Sequence, residues 1–359
     1  MTTETVLPKP VGALRSIDHL LGAGEHRFLS SGFRRVRHRL RELTVETGPA
    51  GGTVHATASV DYPPDWSRKA AGVARRPHLS VVDGLLIAAQ LAEALLTRRH
   101  ALDEEQRRRM WLRRLVMRSG SRPQEHLDAF PVSARHDAAE ATRTTDGAWS
   151  SPVEARIGTL RVHAVFAHRG AEATGNRRER YATTDDLLGP AGQRYFGDLY
   201  RHRRASVEDV RMDLPGLRVD AILRLTPEPG APTPTSGLEA AYHPSLSVVD
   251  AAMGVAQLAQ ALLYELDGIH RADSDTMWMR RIVVDRTSPV QPIDRPLPIS
   301  TSAVRSRLLT THGGIWRALD LLGELPGYRA TYAIAHRLPA PPATHQPPGD
   351  GRRQDREQP

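Results

Sequence analysis

Two nearly identical apolar stretches each begin with residues that could move protons. The first reads HLSVVDGLLIAAQ from His78, the second HPSLSVVDAAMGVAQ from His243. Asp83 and Gln90 are seven residues apart, as are Asp250 and Gln257, so on a helix each pair shares one face, two turns apart. An imidazole and a carboxylate at a helix start suit general acid–base chemistry, and His78 with Asp83 or His243 with Asp250 could supply it. The amides of a helix N-terminus add partial positive charge, which suits an enolate or a thioester oxygen. Plainer roles compete. Ser80-x-x-Asp83 and Ser247-x-x-Asp250 both match a capping box. Gln90 and Gln257 could orient a carbonyl or simply tie helix to sheet, and each histidine could be an ordinary loop residue in a chain with 16 of them. The two histidines are not equivalent: His78 aligns with Ser245, and His243 with Arg76. Of the two pairs, His243 with Asp250 is the preferred catalytic pair, because YHPSLSVVD reads as a prepared turn into a helix.

Arginines recur in pairs downstream, Arg113-Arg114 and Arg280-Arg281, inside stretches rich in large and β-branched residues. Neighbours on a strand face opposite ways, so one arginine of each pair is expected to point inward, where it needs an anion. That anion could be a helix carboxylate or a substrate phosphate. The stretch SIDHLLGAGEHRFLSSGFRR (16–35) combines Gly22, Gly24 and Gly32 with Arg27, Arg34 and Arg35. These could cradle a phosphate, but their spacing fits neither a P-loop nor a dinucleotide fingerprint. No His-Glu-x-x-His metal motif and no Gly-x-Ser-x-Gly nucleophile elbow occurs. Cysteine is absent, which removes disulfides, thiolate metal ligands and a cysteine nucleophile. No cofactor and no metal are expected.

The elements that must position these groups are written twice. From 79 to 116 the chain matches 246 to 283 at 17 of 38 positions without a gap, at an offset of 167 residues. The same offset aligns Asp18, Leu20-Leu21-Gly22 and Arg27-Phe28 with Asp185, Leu187-Leu188-Gly189 and Arg194-Tyr195. In each half an alternating stretch (53–62, 217–227) predicts a half-buried strand. An apolar helix follows (81–98, 248–265), and three more strands come after it (110–118, 129–135 and 159–168; 277–285, 297–304 and 328–338). The helix is apolar nearly all round, which predicts burial. A buried helix wrapped by a curved antiparallel sheet is the hotdog arrangement, and two fused copies give an α+β tandem hotdog with a pseudo-twofold axis. Two α+β domains on a linker are the alternative. The expected division is residues 1–15 disordered, 16–182 first repeat, 183–338 second repeat and 339–359 a disordered Pro-rich tail.

With 359 residues and a net charge of +8, the chain is expected to be a basic protein drawn to acidic partners or phosphates. No basic–aromatic platform for nucleic acid is apparent. No run approaches the roughly 18 apolar residues of a membrane span, and the start lacks a secretory pattern. A cytoplasmic monomer or homodimer is expected.

SIDHLLGAGEHRFLSSGFRR followed by HLSVVDGLLIAAQLAEALL resembles the AvrD family of bacterial proteins, over most of residues 16–338. That resemblance implies a part in making syringolides, which are acyl glycoside elicitors, and a kinship with the tandem hotdog A-factor synthases, which make butenolide signals. Those synthases join a β-ketoacyl chain, delivered on an acyl carrier protein, to a three-carbon sugar phosphate. Only the twice-written Ser-Val-Val-Asp and the following Gln carry over. The expectation is an acyltransferase or condensing enzyme that takes an acyl carrier protein or acyl-CoA thioester and a sugar or sugar phosphate. His243 would be the base, Asp250 its partner or the acid, and Arg280 or Arg281 the sugar-binding group. A hotdog dehydratase or thioesterase, and a non-enzymatic binding or effector protein, are the alternatives.

Overall fold

The computed structural model describes residues 14–67, 76–171, 175–272, 274 and 277–339. The first half runs β1 (Leu14–Ser16), α1 (Asp18–Leu21), β2 (Arg37–Gly48), β3 (Gly51–Asp61), α2 (Val81–Arg99), α3 (Glu104–Arg109), β4 (Trp111–Arg118), β5 (Phe130–Asp137), β6 (Thr142–Arg143), β7 (Trp149–Ile157) and β8 (Leu160–His168). The second runs β9 (Arg177–Thr183), α4 (Thr184–Leu188), β10 (Arg203–Asp213), β11 (Arg218–Pro227), α5 (Val248–Asp267), β12 (Trp278–Arg286), β13 (Leu297–Thr311), β14 (Gly314–Leu325) and β15 (Tyr328–Arg337).

All strands join one antiparallel sheet in the order β1-β10-β11-β13-β14-β15-β12-β4-β8-β7-β5-β3-β2-β9, with β6 beside β7. The order reads the same from both ends once counterparts are exchanged. At its centre β12 pairs with β4, and Val283 lies opposite Val116, its own counterpart at the 167-residue offset. Arg281 opposite Arg118 and Asp285 opposite Arg114 are likewise exchanged by that offset. A residue can pair with its own repeat only beside a twofold axis, so the pseudo-dyad passes here. The halves also trade their first strands: β1 pairs with β10 of the second half, and β9 pairs with β2 of the first. A cut at residue 182 therefore falls inside β9.

Each half wraps its sheet around one helix. In α2, 17 of 19 residues are buried, so it is the rod of the core and not an amphipathic surface helix. It lies against β2, β3, β5, β7 and β8, as α5 lies against β10, β11, β13 and β14. Leu86, Leu91 and Leu95 are fully buried, each contributing about 1.5–3 kcal/mol. Ser80 caps α2 in a two-way capping box with Asp83, and Gly268 closes α5 in the left-handed conformation. This is a tandem hotdog.

The sequence reading missed β2 and β10. Both are charge-rich, and both carry a bulge with a left-handed residue, Glu42 and Asp209, at matching positions. The bulge breaks the alternation by which strands are recognised. Leu14 and Arg15, expected to be disordered, belong to β1, because the β10 edge is there to pair them. The remaining residues of the expected N-terminal and C-terminal disorder, 1–13 and 340–359, lie outside the described residues.

Candidate active site

Asp83 and Asp250 begin as the same cap residue and end in different chemistry. Asp83 takes hydrogen bonds from the Ser80 amide and hydroxyl, each at 2.7 Å, and from the Tyr62 hydroxyl. The His38 Nε2 lies 2.7 Å from its other oxygen. The Tyr62 hydroxyl is also 3.0 Å from the His78 carbonyl, so Asp83 anchors the loop that carries His78. Burial, reinforced by Asp83, pushes the Tyr62 phenol well above its ordinary value. Asp83 is itself buried and acts through these neighbours.

Asp250 receives Arg34 at 2.6 Å from the first half, Arg203 at 2.8 Å and the Tyr195 hydroxyl at 2.9 Å. Burial pushes its carboxyl up, but Arg34 and Arg203 outweigh that and hold it well below the usual carboxylate range. His243 does not touch it. Arg203 stands between them and donates to His243 Nδ1 at 2.8 Å. An arginine has only donors, so that nitrogen is the acceptor and its lone pair is committed. Burial and then Arg203 bring the His243 imidazole down to about 3. The expected pair His243–Asp250 is thus joined through Arg203 and does not meet directly.

The start of α2, by contrast, opens onto a cavity of about 700 Å³ that runs between it and the apolar side of α5. His78, Ser80, Val81 and Val82 form one wall; Met253, Ala256 and Ala259 form the opposite one. Phe28, Trp66 and His78 make an aromatic corner, with Phe28 and Trp66 edge to face at 5.4 Å and Trp66 and His78 at 6.2 Å. Arg27 reaches this corner from the first half and Arg271 from the second. Five arginines and one glutamate line the cavity, so its field favours an anionic ligand.

The remaining expected residues fall outside it. Gln90 is buried, its amide 3.4 Å from the Leu86 carbonyl. Gln257 accepts Arg27 at 2.9 Å and so braces one cavity residue. The arginine pairs do not point inward. Arg113 and Arg280 are each the extra residue of a β-bulge, which upsets the strict alternation on which the expectation rested. Arg280 and Arg281 are exposed, Arg114 pairs with Asp285 across the dyad, and Arg113 lies over the Trp111 ring. The arginines of the Gly–Arg stretch are held by protein partners, two of them reaching into the second half. Arg27 holds Asp18 and Gln257, Arg34 holds Asp250, and Arg35 holds Asp65. Sequence reasoning missed Trp66, Arg203 and Arg286, which carry no repeat signal; a comparison of the two copies position by position singles out Arg286, where the first copy has Ser119.

No described helix is long and apolar enough to cross a membrane. No curated protein matches the chain in sequence. Among solved structures, the tesB protein of Mycobacterium avium subspecies paratuberculosis aligns at 12% identity over 81% of this chain and 94% of its own, with a TM-score of 0.41. A MaoC-like dehydratase aligns at 12% identity over 78% and 90%, TM-score 0.38. The dehydratase domain from the CurJ module of curacin polyketide synthase aligns at 10% identity over 80% and 92%, TM-score 0.33. The family model described as Pseudomonas avirulence D protein (AvrD) matches residues 12–339.

Proposed function

The chain belongs to the AvrD family, and from that premise we propose that it is an enzyme that transfers a β-ketoacyl group from a carrier thioester to a hydroxyl of a sugar or sugar phosphate. The observation that carries this reading is the cavity between α2 and α5, apolar along one wall and set with His78, Arg27 and a helix N-terminus along the other. The apolar wall suits an acyl chain, the arginines suit a phosphorylated carrier arm or acceptor, and the aromatic corner suits the face of a sugar ring.

In this reading His78 takes the proton of the acceptor hydroxyl. The oxygen attacks the thioester carbonyl. Amides at the start of α2 and the Arg27 guanidinium stabilise the developing oxyanion. The carbon–sulfur bond then breaks, and the proton passes from His78 to the departing sulfur. An ester and a free thiol form, and nothing is oxidised or reduced. Asp83 and Tyr62 keep the His78 loop in place.

The test is to incubate purified protein with a β-ketoacyl thioester, as acyl-CoA and on an acyl carrier protein, together with a ketose or a triose phosphate. Mass spectrometry should find the condensed ester or its cyclised product. Release of the free acid without condensation would make the protein a thioesterase, an enoyl product would make it a dehydratase, and unchanged reactants would make it a binding protein.

A further inference from the structure

The pseudo-dyad relates the cavity to a twin position at the start of α5, and there counterparts of its lining residues are buried. Ser119 lines the open cavity; its counterpart at the 167-residue offset is Arg286, which is buried. Leu160 also lines the open cavity. Its structural counterpart is Tyr328, because Trp111 pairs with Ala167 as Trp278 pairs with Ala335, one residue beyond that offset. The two enlarged side chains stack: the Arg286 guanidinium sits over the Tyr328 ring at 4.9 Å. Arg286 also donates to Glu239 and, at 3.1 Å, to the Leu112 carbonyl. Tyr328 donates to the Leu246 carbonyl. Gln260, on the wall of the open cavity, is replaced in the twin by the fully buried Glu93.

We infer that the chain has one ligand site, and that Arg286 stacked on Tyr328 is the plug that closes the second. The surrounding frame of the twin is retained. Leu246 donates to the Gln291 carbonyl at 2.8 Å just as Leu79 donates to Gln124 at 2.8 Å, and Ser247 still caps α5. The difference between the two positions is thus one of side-chain volume and charge. A serine and a leucine leave room that an arginine and a tyrosine occupy, and the buried guanidinium is held by the Glu239 carboxylate. The twin keeps the serine cap and the neighbouring backbone hydrogen bond and differs at these lining positions.

Two reciprocal variants test this. Ser119→Arg with Leu160→Tyr transplants the plug into the open cavity, and Arg286→Ser with Tyr328→Leu and Glu239→Gln removes it from the twin without leaving a carboxylate unpaired. Ligand count is read by calorimetry and native mass spectrometry with decanoyl-CoA, and the cavities themselves by crystal structures of both variants. One site is expected in the unmodified chain, none in the first variant and two in the second, with the twin open in its crystal structure. Two sites in the unmodified chain overturn the inference. So does undiminished binding by the first variant, or a second variant that folds and shows the twin still filled. Because the crystal structures need no ligand, a failure of decanoyl-CoA to bind anywhere would count against the acyl-thioester reading alone.

Discussion

Arg34 of the first half donates to Asp250 on the central helix of the second half at 2.6 Å, and both side chains are buried. The contact crosses from one repeat to the other, so it fastens them together. Removing the carboxylate alone would leave Arg34 and Arg203 buried without their anion, which costs about 3–5 kcal/mol for a broken buried pair. Asp250→Ala is therefore expected to lower the thermal midpoint by several degrees or prevent folding. A denaturation curve superimposable on the parent would refute the clasp.

The same cluster sets a pH dependence. The Asp250 carboxyl lies below its unfolded value, so its contribution is present above about pH 4 and is lost as the pH falls further. Three buried histidines in the first half, His100, His136 and His168, act earlier. Burial lowers all three, His100 to about 4 and His168 to about 2. Their unfolded value is about 6.5, so as the pH falls below that the unfolded chain binds protons that the folded chain refuses, down to about pH 4 for His100. Stability should fall with decreasing pH in that window, by about 1.4 kcal/mol per pH unit for each histidine that stays neutral. Chemical denaturation from pH 7 to 5 measures the slope, and His100→Gln should reduce it by that one residue's share.

His78 and His243 give opposite predictions. If His78 is the base, His78→Ala should reduce turnover by about 10²–10⁴-fold with the thermal midpoint little changed. His243→Ala should do the reverse, leaving turnover of the folded fraction within a small factor and weakening the fold. The opposite pattern would return the chemistry to the α5 end.

Asp83 should behave as a positioning residue. Asp83→Asn keeps the size but no longer offers two carboxylate oxygens to Ser80, Tyr62 and His38, at a cost of about 1–3 kcal/mol. Because the Tyr62 hydroxyl also reaches the His78 carbonyl, the variant should lower kcat more than it raises KM, and its pH–rate profile should shift. An unchanged profile with stability alone reduced would leave Asp83 a helix cap and nothing more.

The acyl wall can be narrowed. Ala256 and Ala259 face the cavity from α5, and Ala256→Phe or Ala259→Leu should shorten the longest thioester accepted by several carbons while sparing short ones. Equal losses for all chain lengths would mean that the chain does not lie along α5.

The duplication, the two central helices and their caps were legible in the residues themselves, because burial on all sides and a Ser-x-x-Asp start are local properties. The predicted helices at 81–98 and 248–265 are α2 (Val81–Arg99) and α5 (Val248–Asp267). The tandem hotdog followed from repetition and periodicity, and the chain's place in the AvrD family was readable from the stretches around Gly22 and Asp83. Local sequence could not say which copy stays open. His243 reads as the better-prepared base until Arg203, forty residues away, is seen to take its Nδ1 lone pair. Arg113-Arg114 and Arg280-Arg281 read as inward-facing until a bulge on each strand turns them out. Those outcomes depend on residues brought together by chain crossing and by the dyad, and a carboxylate or imidazole takes its chemistry from the charges packed around it. The sequence alone determined that there are two copies of one module; only the tertiary structure, by burying Arg286 where its counterpart Ser119 lines a cavity, made the two helix starts differ.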